Sequence, residues 1–308
     1  MRKTTNTVYL EGRIFSHELE LRTVQNEQSK NYGKEYATGK LNIATDENGE
    51  NVVTVHYTYE PPTFNSGKPN SKFKALSDII DGKVKTWTQD GKENAAMVKI
   101  SSSFNVNDWY DRDDNLVSSK RIEGGFINFV KALSDEKDRA SFRTDMFINN
   151  FTVKEADEES GRPEYGIIKG AIFDFRNSLM PIEFSIENQA GINYFLDLEI
   201  TTKNPVFTQV WGKIDIQKVI KKTVIESAFG DDEVRENEYV NTFYKVTGVK
   251  KEPYAFEEES EDLTPTELQK CLQDREVKLA EEKKRHDEAV ANKNKSTNSA
   301  VPSGDFAF

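Results

Sequence analysis

Residues 34–60, KEYATGKLNIATDENGENVVTVHYTYE, alternate apolar and polar side chains on both sides of a short polar segment, ENGEN. Alternation with a period of two is typical of antiparallel strands that bury one face, and a Gly/Asn-rich segment between two such runs is typical of a turn. A similar run, VYLEGRIF (Val8–Phe15), precedes this stretch, and Gly12 marks a position where that strand can bend. Three consecutive strands of this kind predict the beginning of a small closed β-barrel.

The same pattern recurs at 163–187, PEYGIIKGAIFDFRNSLMPIEFSIE. At a constant offset, Glu35, Tyr36, Lys40 and Ile43 match Glu164, Tyr165, Lys169 and Ile172. Each copy is preceded by one further strand-like run and followed by two more. This shared order favours a tandem duplication of a five-stranded unit, and the alternative is two unrelated β-meanders.

A helical segment is expected between the third and fourth strands of each copy, at Lys72–Gly82 and at Asn188–Ile200. Five strands with a helix at that point describe the OB-fold. The sequence therefore predicts a mainly β protein with two tandem OB-fold-like five-stranded barrels, at residues 1–140 and 141–250. An acidic linker and charged helix follow at 251–292, and a flexible tail with a DFAF tip follows at 293–308.

The beginning of the C-terminal helix is marked by a sequence signal. Thr264 is suited to the N-cap position, Pro265 to the first helical position, and Glu267 to the third position of a capping box. A thin apolar stripe follows, which is sufficient for the helix to rest on a barrel: Leu268, Cys271, Leu272 and Leu279.

Bulk composition limits the function classes. The net charge of −11 excludes an indiscriminate polycation, although binding follows local potential rather than the total. A single cysteine, Cys271, excludes an internal disulfide framework, and we expect a reducing, cytoplasmic compartment. No apolar run is long enough to cross a bilayer, so no membrane partner is expected. The sequence lacks paired metal-ligating histidines, a phosphate-binding loop and a nucleophile elbow, so neither an enzyme nor a bound cofactor or metal is predicted.

Strand alternation also predicts which side chains are outside. If Ile43 and Ile172 point inward, Lys40 lies on the outer face of the first barrel. Lys169, Phe173 and Phe175 then lie on the outer face of the second, with Arg176 beside them. Aromatic and basic side chains on such a face suit stacking on bases and neutralisation of phosphates. Packing between the barrels, or an error of one residue in the register, are the alternatives.

Further cations and one tryptophan complete the predicted interface. Arg13 and Arg22 lie near Lys34 and Lys40 in the first barrel, and a hairpin with DRDDN at its turn is placed to close over a nucleic-acid strand. For any single cation, an ordinary surface position is the alternative. The predicted DNA-binding residues are Arg13, Arg22, Lys34, Lys40, Trp109, Arg112, Lys120, Arg121, Lys169, Phe173, Phe175 and Arg176.

Three segments and the tip carry a resemblance to a known family. GKEYATGKLNIAT, VTVHYTYE and SSKRIEGGFI (Ser118–Ile127), together with a final phenylalanine, resemble the single-stranded DNA-binding proteins encoded by phages of Gram-positive bacteria. The resemblance covers mainly the first 150 residues. It implies sequence-tolerant binding of single-stranded DNA in phage DNA replication or recombination, in the cytoplasm of the host cell.

The resemblance also implies recruitment of replication or recombination proteins through the last residues, which here are Asp305, Phe306, Ala307 and Phe308. Two features depart from the pattern of the family. Only one carboxylate precedes the final aromatic residues, and the second barrel is unlike the one-barrel bacterial form. The alternative function is that of a phage structural or assembly protein, which binds other proteins through its β-domains.

Overall fold

The computed structural model describes residues 3–156, 163–174, 176–225, 229 and 233–298. Within these ranges the chain is mainly β, and a long helix lies at the C-terminal end, as predicted. The strands are β1 (Asn6–His17), β2 (Glu20–Thr23), β3 (Glu35–Ala44), β4 (Val52–Glu60), β5 (Met97–Tyr110), β6 (Leu116–Phe129), β7 (Ala140–Lys154), β8 (Tyr165–Phe173), β9 (Leu179–Ile186), β10 (Val206–Ile225) and β11 (Glu233–Val249). The α-helices are α1 (Ser71–Ile80), α2 (Trp87–Asp90), α3 (Gln189–Asp197) and α4 (Pro265–Asn298).

The strands of the first half pair in a closed cycle. Strand β1 pairs with β3, β3 with β4, β4 with β6, β6 with β5, and β5 again with β1. The β4–β6 pairing is parallel and the others are antiparallel. Helix α1 lies between β4 and β5 along the chain. Its N-cap is Asn70, whose side chain accepts a hydrogen bond from the backbone N–H of Lys72 at 3.0 Å.

The second half repeats this order of pairings. Strand β7 pairs with β8, β8 with β9, β9 with β11, β11 with β10, and β10 with β7. The β9–β11 contact is again parallel, and α3 again lies between the third and fourth strands of the cycle. Asn188 caps α3 by accepting a hydrogen bond from the N–H of Gly191 at 2.6 Å.

One sheet and one core join the two cycles. Strand β1 pairs with β7, with Val8 opposite Phe142, so the sheet continues from one cycle into the other. Phe142 also packs against Phe104 of the first cycle and against Phe184 and Tyr244 of the second. A single cluster of buried apolar side chains therefore runs through both cycles.

Helix α4 begins at the predicted capping box. The Thr264 hydroxyl accepts from the backbone N–H of Glu267 at 3.1 Å, and the Glu267 carboxylate accepts from the N–H of Thr264 at 3.0 Å. The helix continues to Asn298, beyond the predicted end at residue 292, because the sequence there contains neither Pro nor Gly to stop it. Among the described helices, none is both long and apolar enough to cross a membrane.

Candidate nucleic-acid interface

The outer face of β3 and β4 is shaped by a bulge in β4. Ala37 pairs with Glu60 and Gly39 pairs with Tyr57, so β4 has one residue more than β3 between these two pairs. The extra residue interrupts the alternation, and Tyr59 is therefore 39% exposed although Tyr57 is only 1% exposed. Gly39 has a φ of +124°, and a Cβ there would lie 2.1 Å from a backbone carbonyl oxygen, so only glycine fits.

The bulge brings two tyrosine rings together. Tyr59 packs against Tyr36 with ring centroids 4.8 Å apart and the rings tilted by 38° to each other. Arg22 lies opposite Tyr36 in the β2–β3 pairing and forms an exposed ion pair with Glu20. A partly exposed aromatic surface thus lies beside a guanidinium group, which is the combination that stacks on nucleobases and contacts phosphates.

Next to the tyrosine pair, β3, β4 and β6 present further cations. Lys40 lies opposite His56 in the β3–β4 pairing, and Arg121 of β6 lies close enough to act on the same histidine. Burial lowers the pKa of His56 from its ordinary value, and the positive charges of Arg121 and Lys40 lower the pKa further. His56 is therefore a neutral hydrogen-bonding group at pH 7, near the Lys40 and Arg121 side chains.

Lys40 and Arg121 each form an ion pair, and of the two pairs that of Lys40 is the exposed one. Lys40 lies 3.0 Å from the Glu18 carboxylate, and both side chains are about half exposed. Arg121 lies 3.2 Å from the Glu123 carboxylate. An exposed ion pair contributes only about 0–1 kcal/mol, so a phosphate group can replace the carboxylate of Glu18 at little cost.

A hydrogen-bonded row of neutral polar side chains crosses the same strands. The Asn42 amide donates to the Ser16 hydroxyl at 2.9 Å, and the Thr54 hydroxyl donates to the Asn42 carbonyl at 2.8 Å. We define the first face as the outer surface formed by these side chains, namely Ser16, Arg22, Tyr36, Lys40, Asn42, Thr54, His56, Tyr59 and Arg121.

The β5–β6 hairpin separates two of the predicted cations. Arg121 lies on the first face, whereas its neighbour Lys120 is directed to the second cycle, where its ammonium donates to the Glu183 carbonyl at 3.2 Å. Burial lowers the pKa of Lys120 from its ordinary value. Lys169 lies 3.4 Å from the Glu183 carboxylate. Lys120 and Lys169 thus line a separate groove of about 530 Å³ beside α4.

At the end of the same hairpin, Trp109 is 40% exposed and Arg112 is exposed in the turn. Both residues are therefore accessible, as the predicted interface requires. Lys34 is exposed in the loop between β2 and β3, where it donates to the Asn31 side chain at 3.1 Å.

The predicted exposure of Phe173 is wrong. Phe173 is completely buried, although its neighbour Ile172 does point into the main core as expected. The ring of Phe173 packs edge-on against Phe207, in a second cluster that also contains Leu263 and Leu268. The outer surface at the C-terminal end of β8 is thus covered by the C-terminal segment, so Phe173 is an internal packing residue.

The remaining predicted site residues are Arg13, which is half-buried, Arg176, which is exposed, and several that lie outside the described residues. Arg13 is half-buried, and its guanidinium donates to the Ala95 carbonyl at 3.2 Å, so it supports the chain segment before β5. Arg176 is exposed beyond the end of β8. Phe175 and the tip residues lie outside the described residues, so their predicted roles stay predictions.

Sequence reasoning missed the two aromatic residues and the histidine of the first face. Strict alternation places Tyr59 on the same side as Tyr57, and the bulge reverses this. The available signal was Gly39, because a glycine inside a strand often marks a bulge or a close approach of two backbones.

Comparison with known proteins identifies a family and similar solved structures. A deletion mutant of the single-stranded DNA binding protein from Thermus aquaticus has a similar crystal structure, with 12% sequence identity and a TM-score of 0.48. The match covers 84% of this chain and 100% of that chain. No curated protein matches the sequence. The YorF family model matches residues 5–285, and the chain therefore belongs to the YorF family.

Proposed function

We propose that this protein binds single-stranded DNA without strong sequence preference, through the first face. The observation that carries the proposal is the pair of packed tyrosine rings, Tyr36 and Tyr59, on the same strand surface as Arg22 and Lys40. Every base has a face that can stack on a tyrosine ring, and every nucleotide has a phosphate, so such a surface is tolerant of sequence.

We further propose that each strand cycle is an OB-type barrel. We number the five strands of each cycle in chain order. Around both cycles, the first strand pairs with the second, the second with the third, the third with the fifth, the fifth with the fourth, and the fourth with the first. A helix follows the third strand along the chain. The first face then lies on the second and third strands of its barrel, where OB-folds bind oligonucleotides. Part of the corresponding surface of the second barrel is covered by the C-terminal segment, and we therefore assign the main contact to the first face.

The proposed biological role is coating of single-stranded DNA during phage DNA replication or recombination. The support is the sequence resemblance together with the surface chemistry of the first face. Recruitment of replication or recombination proteins by Asp305, Phe306 and Phe308 belongs to the same proposal. An aromatic tip on a polar tether suits capture by a pocket on a partner protein.

The experiment that tests this function is a fluorescence titration of the protein with a labelled oligothymidylate and with duplex DNA, over a range of salt concentrations. We expect saturable binding of the single strand, weaker binding of the duplex, and an affinity that falls as salt rises. Combined substitution of Arg22→Gln and Lys40→Gln removes two phosphate contacts, and should lower the slope of log K against log salt by about 1.4.

A matched control is available on α1 and in the segment directly after it. Lys74 and Lys83 are also exposed and ion-paired, both with Asp78, but they lie outside the first face. The double substitution Lys74→Gln and Lys83→Gln should leave the salt slope unchanged. Absence of single-strand binding at low salt would contradict the proposal and favour the alternative of a phage structural or assembly protein.

A further inference from the structure

The β5–β6 hairpin extends beyond the first cycle and needs support. Strand β5 pairs with β1 only up to Ser102, and β6 contacts β4 only at Ile122 and Glu123. From Ser103 to Arg121, the two strands of the hairpin pair only with each other among the described strands. An isolated two-stranded hairpin is at best marginally stable in water, so this one requires contacts from elsewhere to hold a single position.

Helix α4 supplies such contacts at the tip of the hairpin. The Lys283 ammonium lies 2.8 Å from the Asp114 carboxylate and 5.1 Å from the centre of the Tyr110 ring. The His286 imidazole lies 3.2 Å from the same carboxylate. At its beginning, α4 is fixed to the second cycle by the buried side chains of Leu268 and Cys271. The helix therefore connects the second cycle to the hairpin tip.

Arg275 lies at the junction of these elements. Its guanidinium lies 3.0 Å from the Asp108 carboxylate on β5, and a second nitrogen donates to the Leu179 carbonyl on β9 at 3.4 Å. Asp108 also accepts a hydrogen bond from the Ser118 hydroxyl across the hairpin, at 2.5 Å. Arg275, which is part of α4, thus contacts the hairpin and a strand of the second cycle at the same time.

This ion pair differs from the others along α4 in its burial. The side chains of Arg275 and Asp108 are only 15% and 14% exposed. In contrast, Arg285 is 67% exposed and is paired with Glu282 within the same helix. Removing one partner of a largely buried pair leaves the other charge uncompensated, whereas removing one partner of an exposed pair has little effect.

We propose that Arg275 is a positioning residue for the binding of single-stranded DNA. It does not touch the DNA. It fixes the β5–β6 hairpin relative to both cycles, so that Arg121 of the first face and the exposed Trp109 and Arg112 farther along the hairpin each occupy one position. This inference rests on the proposed function, because it assigns to Arg275 a part in the same binding event.

The substitution Arg275→Gln should release the hairpin and weaken binding of a thirty-nucleotide oligothymidylate. If the hairpin then occupies its binding position for about a tenth of the time, the affinity falls about tenfold. Arg285→Gln removes the same charge from the same helix and should leave the affinity unchanged. Hydrogen exchange of the backbone amides at 104–120 should become faster in Arg275→Gln and stay unchanged in Arg285→Gln.

Charge exchange provides the decisive variant. Asp108→Arg alone and Arg275→Asp alone should each weaken binding, and the double variant should restore at least half of the lost affinity, because it restores the pair with its direction reversed. Failure of the folded double variant to restore affinity would overturn the proposal. So would faster hairpin exchange in Arg275→Gln with unchanged DNA affinity.

Different results would contradict the proposed DNA binding and the positioning role of Arg275. If the unaltered protein does not bind the oligothymidylate, the proposed function and this inference are both wrong, whatever the hydrogen exchange shows. If the unaltered protein binds and Arg275→Gln binds equally well, only the positioning role is wrong. Near-ultraviolet circular dichroism identifies a variant that has lost its fold, and Asp108→Asn then tests the same pair from the hairpin side.

Discussion

Replacement of Tyr59 by alanine is expected to weaken binding of single-stranded DNA by about 1–3 kcal/mol, which is roughly a 5- to 160-fold loss of affinity. The physical reason is that the tyrosine pair Tyr36–Tyr59 offers the main aromatic surface of the first face. Alanine at position 59 removes one ring and leaves Tyr36 without its neighbour. Titration of the variant with an oligothymidylate at fixed salt measures the effect.

Tyr9 provides the control for this substitution. It is 51% exposed, so its ring is at least as accessible as that of Tyr59. It pairs with Ser101 and Ser141, however, on β5 and β7 rather than on β3 and β4. Tyr9→Ala should bind with unchanged affinity. An equal loss in both variants, or a loss in Tyr9→Ala alone, would show that the interface lies elsewhere.

Replacement of Phe142 by alanine is expected to lower the free energy of unfolding by about 3–5 kcal/mol, since it leaves a large cavity in a closely packed core. Phe142 lies on β7, which pairs with strands of both cycles, and its ring stacks on Phe184 with centroids 4.8 Å apart. Because the core is shared, we expect one cooperative transition in which both cycles unfold together, in the variant and in the unaltered protein.

Denaturant unfolding followed by circular dichroism and by tryptophan fluorescence measures this effect. Phe64→Ala is the control, because Phe64 is 39% exposed in a loop and its loss should change stability by less than about 0.5 kcal/mol. Two separate transitions in the unaltered protein would contradict the shared core. A change of less than about 1 kcal/mol in Phe142→Ala would contradict its central place in that core.

Much of the fold could be predicted from local pattern. Alternation located the strands, and the internal repeat predicted that the same order of strands occurs twice. The residue types at 264–267 predicted the start of α4, because a capping box is a local arrangement that depends on four neighbouring residues. The end of α4 was less predictable, since polar helix formers such as lysine also suit a linker.

The candidate site was less predictable, because it depends on contacts between distant parts of the chain. Phe173 lies on the outer side of β8 as alternation predicts, but nothing near it in sequence shows that Leu263 and Leu268 cover it. Likewise, Lys120 and Arg121 are neighbours in sequence, and only the packing of the hairpin shows that they serve different surfaces. Tyr59 was missing from the predicted site because strict alternation puts it on the buried side with Tyr57, and a one-residue bulge changes the side of every later residue in a strand.

Photo-crosslinking tests most directly whether single-stranded DNA binds to the first face. The protein is crosslinked to an oligothymidylate that carries 5-iodouracil, and the crosslinked peptides are identified by mass spectrometry. We expect crosslinks to Tyr36 or Tyr59, because their rings stack on bases when single-stranded DNA occupies the first face. Crosslinks confined to Tyr9 and Phe126, which are also exposed but lie on other strands, would contradict it.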